Sequence, residues 1–196
     1  MDSPSNPWRR IARRTAYDNA WIAVWADEVI RPDGAPGIYG VVHFVHRAVG
    51  VVPLDASDRV LLVGQWRYAL DRWSWEIPEG GGEPDEVPVV AAQRELVEET
   101  GYAADQWGEL CRVHLSNSVS DEEAVLFAAR GLAPGPASPE GTERLELCWL
   151  PLADVASMCR DGRITDAMTV VAIQAVLLEA AAPSVAAPDR SSDDPR

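Results

Sequence analysis

The sequence predicts an α/β domain preceded by an antiparallel β-arm, and three observations lead there. Short apolar runs bounded by turn residues, Val51–Leu54, Val60–Val63 and Ala124–Ala129, have the length and β-branched content of buried strands. Between and after them lie stretches with helical start and stop signals, above all the one ending at Thr100-Gly101. Ahead of both, the strand-like run Trp21–Ile30, the turn Arg31-Pro32-Asp33-Gly34 and a second run from Ile38 to His46 make a hairpin. At 196 residues and 47% hydrophobic content, the chain suffices for one well-buried domain with an appendage.

Taken in order, residues 1–13 are polar and proline-containing and read as a flexible N-terminus, although its basic patch, Arg9 to Arg14, would also suit an acidic partner. Residues 14–48 form the β-arm. A two-stranded hairpin is marginal alone, so Trp21 and Trp25 are expected to pack on something else. The main domain is expected over 49–182. It opens with a hairpin, Val51–Leu54 to Val60–Val63, turning at Asp55–Asp58. The run Gln65–Leu70 leaves this sheet. Arg67 reads equally as a diphosphate ligand, through its forked donors, or as a surface salt bridge. Trp73 and Trp75 share one strand face and Ser74 takes the other.

Glu79-Gly80-Gly81-Gly82 reads as a loop, because successive glycines keep too much backbone freedom for helix or strand, and its bare backbone lets a ligand or metal approach closely. The next helix has Asp85 as cap, Pro88 in its first turn, Ala91, Ala92 and Leu96 toward a core, and Gly101 as left-handed terminator. Glu95, Glu98 and Glu99 stand at i, i+3 and i+4, on one face of it. Carboxylates so placed repel, and an oxygen-seeking divalent cation is their natural counter-charge.

Beyond the helix, Trp107–Leu115 and Ala124–Ala129 read as strands joined by the polar loop 116–123, a lid or specificity element. Gly131 to Gly141 reads as a mobile loop that ends in Glu140-Gly141-Thr142-Glu143, whose two carboxylates either close over a metal-bound substrate or merely solubilise the loop. A strand over Leu145–Leu150, a helix over Leu152–Asp161 stopped by Gly162, and a helix capped by Thr165 or Asp166 through about Ala181 complete the domain. Residues 183–196 read as a disordered tail. His43, His46 and His114 read as structural.

The formal net charge of -14 argues against a nucleic-acid or anionic-membrane partner, since both need clustered Lys and Arg. The cysteines, Cys111, Cys148 and Cys159, are odd in number and lack metal-type spacing, which suits reduced thiols in the cytoplasm. The N-terminus shows no secretory pattern and no run of 18 apolar residues occurs, so no membrane partner is expected.

Gly80, five residues, Glu86, seven residues and then Arg94-Glu95-Leu96-Val97-Glu98-Glu99-Thr100-Gly101-Tyr102 resembles the Nudix box at every defined position. The run Gly64–Leu70, the approach Trp75–Gly82 and Gly162–Thr169 resemble the subgroup of ADP-ribose and nucleoside diphosphate sugar pyrophosphatases. The resemblance implies an α/β/α sandwich around a mixed β-sheet, with the N-terminal β-arm packed across a homodimer. It implies that Glu95 and Glu99 bind Mg²⁺ or Mn²⁺, that Glu98 completes the cluster, and that the carbonyl of Glu79 and Glu143 are further ligands. Arg94 and Glu86 would orient the carboxylates. Glu98, Glu143, Glu140 and Arg94 are the expected catalytic residues, and Arg67, Trp21, Tyr39, Gly80, Gly81 and Ser118 the expected substrate-binding ones. Asn117 stands about 16 residues after Gly101, where members selective for ADP-ribose tend to carry proline, so GDP-mannose is as plausible a substrate. The implied reaction is metal-dependent hydrolysis of a nucleoside diphosphate sugar to a nucleoside monophosphate and a sugar phosphate. The alternatives are a non-catalytic nucleotide-sugar sensor and a hydrolase of another nucleoside diphosphate derivative.

Overall fold

The computed structural model describes residues 5–136 and 144–181. The expected tail 183–196, Glu140 and Glu143 lie outside the described residues.

The arm is a three-stranded antiparallel meander, β1 (Arg9–Asp18), β2 (Ile22–Ile30) and β3 (Pro36–Phe44). Residues 9–13, expected to be flexible, are therefore strand. Every residue of β1 is exposed, so no apolar alternation marked it in the sequence. Its pairing with β2 rests on the main-chain ladder and on Arg13, whose Nε and Nη2 donate to the two carboxylate oxygens of Asp27, both at 2.7 Å. The Arg13 guanidinium also lies 3.5 Å from the ring centre of Trp25, and the His43 ring stacks on Trp25 at 4.3 Å.

In the main domain β4 (Arg47–Pro53) pairs antiparallel with β7 (Glu79–Gly82) and parallel with β9 (Glu123–Pro134), which pairs antiparallel with β8 (Tyr102–His114). A second sheet has β5 (Arg59–Arg67) between β10 (Glu146–Pro151) and β6 (Arg72–Glu76). The expected β4–β5 hairpin is thus not a ladder. The turn forms, with Asp55 Oδ1 accepting the N–H groups of Ser57 and Arg59, but only the bridge Leu54–Val60 joins the strands. Both strands are buried on both faces, and each is satisfied as the centre of its own sheet. The strand β9 also runs to Pro134, taking in residues expected to begin a mobile loop, because Ala103 and Ala104 of β8 pair with Ala133 and Leu132.

Alternation along β4 and β9 divides the core in two. Val49, Val51, Val125, Phe127 and Ala129 meet Ala91, Ala92 and Leu96 of helix α1 (Pro88–Thr100). Val52 and Leu126 meet Met168, Ala172 and Ile173 of α3 (Ala167–Ala181), with α2 (Leu152–Asp161) alongside. The sheet therefore lies between helices on its two faces, the α/β/α sandwich of the sequence reading. None of the helices among the described residues is long and apolar enough to cross a membrane.

Two local expectations need correction. The N-cap of α1 is Val87, which makes no side-chain cap bond, rather than Asp85; Pro88 at the first helical position removes one of the donors a cap would serve. The stretch Glu79–Gly82 is a strand and not a loop. Its glycines are needed for proximity: a Cβ on Gly82 would lie 3.1 Å from the Cβ of Ala91 in α1. Gly101 does terminate α1, at φ 73° with its N–H on the Val97 carbonyl. Of the two caps considered for α3, Asp166 serves: its Oδ2 accepts the Thr169 N–H at 2.6 Å, while Thr165 accepts from Arg72.

Candidate active site

Because β7 runs beneath α1, the glycine strand and the acidic helix face meet along one cleft. Glu95, Glu98 and Glu99 share a chamber of about 550 Å³ with Gly80, Gly81 and Arg94. Glu99 is buried and one of its oxygens accepts the Glu79 N–H at 3.1 Å, tying helix to strand. The Glu95 side chain is 13% exposed and that of Glu98 36%, so the face grades from floor to rim.

Arg94 organises this face. Its Nη1 donates to Glu95 at 2.7 Å and to Glu98 at 3.0 Å; its Nη2 donates to the Gly81 carbonyl at 2.9 Å and to Glu86 at 3.2 Å. Burial works against the guanidinium charge, but Glu86, Glu95 and Glu98 more than offset it and raise its pKa. In return Arg94 holds the Glu86 carboxyl below the usual range. A half-buried fork of this kind keeps carboxylates ionised and aimed. The donor set, three carboxylates beside an exposed glycine backbone, is the hard-oxygen chemistry that Mg²⁺ or Mn²⁺ takes.

A second chamber of about 350 Å³ adjoins the first and shares Trp21, His46, Glu79, Gly80 and Gly81 with it. Arg67 lies there, and both readings of it from sequence meet: it forms salt bridges, with Nη2 2.6 Å from Glu76 and 2.6 Å from Glu79, and it lines the cleft. Burial opposes its charge, yet Glu76 and Glu79 raise its pKa. The Glu79 carboxyl is driven well above the ordinary range by burial first, then by Asp166 and Glu76, against the pull of Arg67. Glu122, on the same chamber, is pushed up by burial.

Of the residues expected to bind substrate, the structure brings Trp21, Arg67, Gly80 and Gly81 to the cleft. Tyr39 and Ser118 meet each other instead, Tyr39 Oη donating to the Ser118 carbonyl at 2.5 Å, and Tyr39 lines a separate hollow on the arm with Trp8 and Asp27. The loop 116–122 is stitched to β3 in the same way: Val42 N–H donates to the Val119 carbonyl, and Asp121 accepts from the Phe44 N–H and lies 2.6 Å from His43 Nδ1. Sequence reasoning missed Glu76, Asp166 and the side chain of Glu79, whose carboxylate oxygens lie within 4.8 Å of one another. Strand period offered a signal for one of them, since Glu76 falls two residues beyond Ser74 on the face opposite the tryptophans, and both are buried.

Comparison with known proteins agrees with this geometry. Residues 45–168 match the NUDIX domain, and residues 8–42 match the nucleoside diphosphate sugar hydrolase N-terminal domain. The chain is 32% identical over 175 residues to a CMP-5'-(N-acetyl-N-hydroxy-3-aminopropyl)phosphonate hydrolase of Streptomyces rubellomurinus, covering 87% of this chain and 82% of the relative. It is 31% identical over 173 residues to an ADP-ribose pyrophosphatase of Mycobacterium tuberculosis, covering 85% and 81%. A crystal structure of an ADP compounds hydrolase superposes with a TM-score of 0.81 over 91% of this chain and 96% of that one, and at 21% identity it speaks for the fold. With the box residues converging on one cleft and the match spanning the domain that holds them, the chain belongs to the NUDIX domain family and is a Nudix hydrolase.

Proposed function

We propose that the protein hydrolyses the diphosphate of a nucleoside diphosphate sugar, ADP-ribose, GDP-mannose or a similar compound, to a nucleoside monophosphate and a sugar phosphate. The observation that carries this reading is Arg94, which gathers Glu95, Glu98 and Glu86 over the glycine strand. Glu95, Glu98, Glu99 and the carbonyl of Glu79 would hold Mg²⁺ or Mn²⁺, which supplies charge neutralisation at the diphosphate and activation of water. The helix fixes the carboxylates before substrate arrives, and Arg94 limits the rotamers they can adopt. A water oxygen bonds to one phosphorus, the anhydride P–O bond breaks toward the other, and a carboxylate takes the proton. Glu143 or Glu140 is proposed for that proton; Glu98, the most exposed of the box acids, is the alternative.

A homodimer formed through the arm is part of the same proposal. Trp21 is 69% exposed and Ile38 79%, with Ile11 and Tyr17 also uncovered, which is more apolar surface than a free arm carries. The cytoplasm is the proposed location, supported by the free thiols of Cys111, Cys148 and Cys159. The deciding experiment is a screen of nucleoside diphosphate sugars with Mg²⁺ or Mn²⁺, following phosphatase-sensitive monophosphate. Turnover of at least one is expected; inactivity toward all of them would refute the reading.

A further inference from the structure

The loop between β8 and β9 is fastened to the open edge of the arm. In β3, Tyr39, Val41 and His43 pair with Asp27, Trp25 and Ala23 of β2 and so share one face of the arm sheet. Two of them grip the loop: Tyr39 Oη donates to the Ser118 carbonyl at 2.5 Å, and His43 Nδ1 lies 2.6 Å from Asp121 Oδ2. Between these side-chain bonds the main chains meet as well, since the Val42 carbonyl accepts the Asp121 N–H at 3.2 Å and the Val42 N–H donates to the Val119 carbonyl at 2.8 Å. The edge of β3 away from β2 is thereby covered, with Val42 and Ser120 as a parallel bridge. Asp121 closes the junction: while its Oδ2 meets His43, its Oδ1 accepts the Phe44 N–H at 3.0 Å. Burial disfavours its charge, but His43 and the Phe44 N–H hold its carboxyl below the usual range. The His43 ring in turn stacks on Trp25, over which the Arg13 guanidinium lies.

Both sides of this junction reach the cleft. Phe44, whose N–H Asp121 takes, and Glu122, next to Asp121 in the chain, line the same chamber as Arg67, Gly80 and Gly81. The His43 and Asp121 side chains are 36% and 45% exposed, and among the described residues the two cores contain neither, so the fold of the main domain does not depend on their bond. We propose that His43 and Asp121 are positioning residues: their bond locks the loop 116–122 to the arm and so fixes Phe44 and Glu122 at the cleft before substrate arrives. The inference rests on the reading of the chain as a nucleotide-sugar hydrolase and adds a pair, outside the cleft, that sets its shape. With the lock broken, loop and arm part in a fraction of the molecules, and some of the substrate's binding energy goes into bringing them together. A loop docked in only about one molecule in ten weakens apparent affinity about tenfold, while the bound complex, and with it kcat, stays nearly as it was.

The test joins steady-state kinetics, on whichever nucleoside diphosphate sugar the wild type cleaves, to amide hydrogen exchange on the free protein. Asp121→Ala is expected to raise KM about tenfold and to change kcat by less than about twofold, with Tm close to wild type. Asp121→Asn keeps an oxygen for the Phe44 N–H and a donor for a neutral His43, and should recover most of the wild-type KM. His43→Phe keeps a ring against Trp25 but loses the bond, and should raise KM too; combined with Asp121→Ala it should add nothing further, because both act through one contact. Without substrate, the amides of Val42 and Phe44 should exchange faster in Asp121→Ala than in wild type, and those of buried Val125 and Leu126 at the same rate. Unchanged KM in Asp121→Ala, no recovery in Asp121→Asn, rises that add in the double variant, or unchanged exchange at Val42 and Phe44 would each overturn the lock and leave the hydrolase reading standing. A wild type that cleaves no nucleoside diphosphate sugar overturns the hydrolase reading, and with it the role given to the lock.

Discussion

The carboxylate of Glu95 occupies the space a side chain on Gly80 would need: a Cβ there would lie 2.2 Å from Glu95 Cδ and 2.4 Å from each of its oxygens. The glycine of β7 and the first acid of the cleft are one device. Gly80→Ala should therefore push Glu95 out of place at little cost to the fold, because the atom that must move is the far end of a flexible side chain. We expect kcat/KM to fall by about 10² or more, as small misplacements near the chemistry do. Thermal unfolding should stay close to wild type. An active Gly80→Ala enzyme would show that Glu95 does not need its present position.

Arg94→Lys tests the organising role of the guanidinium. A lysine keeps the charge but cannot reach Glu86, Glu95, Glu98 and the Gly81 carbonyl together. Activity should drop by roughly 10- to 100-fold, the usual loss for a residue that orients metal ligands. The Mn²⁺ concentration giving half-maximal rate should rise. Unchanged metal dependence would place Arg94 outside the ligand-holding role.

These two residues also show how far the sequence could be read. Glu95, Glu98 and Glu99 were legible because helical period puts them on one face whatever they pack against, and Arg94 through the resemblance of its stretch to the Nudix box. The strand character of Glu79–Gly82 was not, since it comes from Arg47–Gly50 across the sheet and from the close approach of α1. β1 was equally hidden, for its exposed face carries no apolar rhythm. The parting of β4 from β5 depends on which partners each strand finds far along the chain. The grouping of Glu76, Glu79 and Asp166 joins β6, β7 and the cap of α3, and no local pattern announces a contact across ninety residues of sequence.

The Arg13–Asp27 fork makes the arm sensitive to acid. Hydrogen bonding from Arg13 holds the Asp27 carboxyl below its ordinary value, against the effect of burial. A depressed carboxylate contributes stability that is fully present above its unfolded pKa of about 3.9 and is lost as pH falls through the folded value. The Tm difference between wild type and Asp27→Asn should therefore be constant above about pH 5 and shrink progressively as pH falls below about 4 toward the lowered folded pKa, beneath which both carry a neutral group. A gap independent of pH down to the acid limit of folding would contradict the ion pair.

Glu143→Gln and Glu140→Gln address the proton acceptor. On the proposal that one of them is the base, its substitution lowers kcat by about 10² or more, within the range of general acid–base groups. If Glu140 is the base and Glu143 a metal ligand, higher metal rescues the Glu143 variant in part and not the Glu140 variant. Wild-type turnover by both would move the base to Glu98 or to the neighbourhood of Glu122 and Glu123.

The central claim is that the acidic face of α1 drives metal-dependent cleavage of a diphosphate. Its most direct test is the release of nucleoside monophosphate from ADP-ribose and GDP-mannose by wild-type protein and by Glu98→Gln, each with Mg²⁺ or Mn²⁺ and with chelator. The account predicts release by the wild type only when metal is present, and a rate at least about 10²-fold lower for the variant, whose side chain loses charge but almost no volume. Release that survives chelation, or a Glu98→Gln enzyme as fast as wild type, would contradict it.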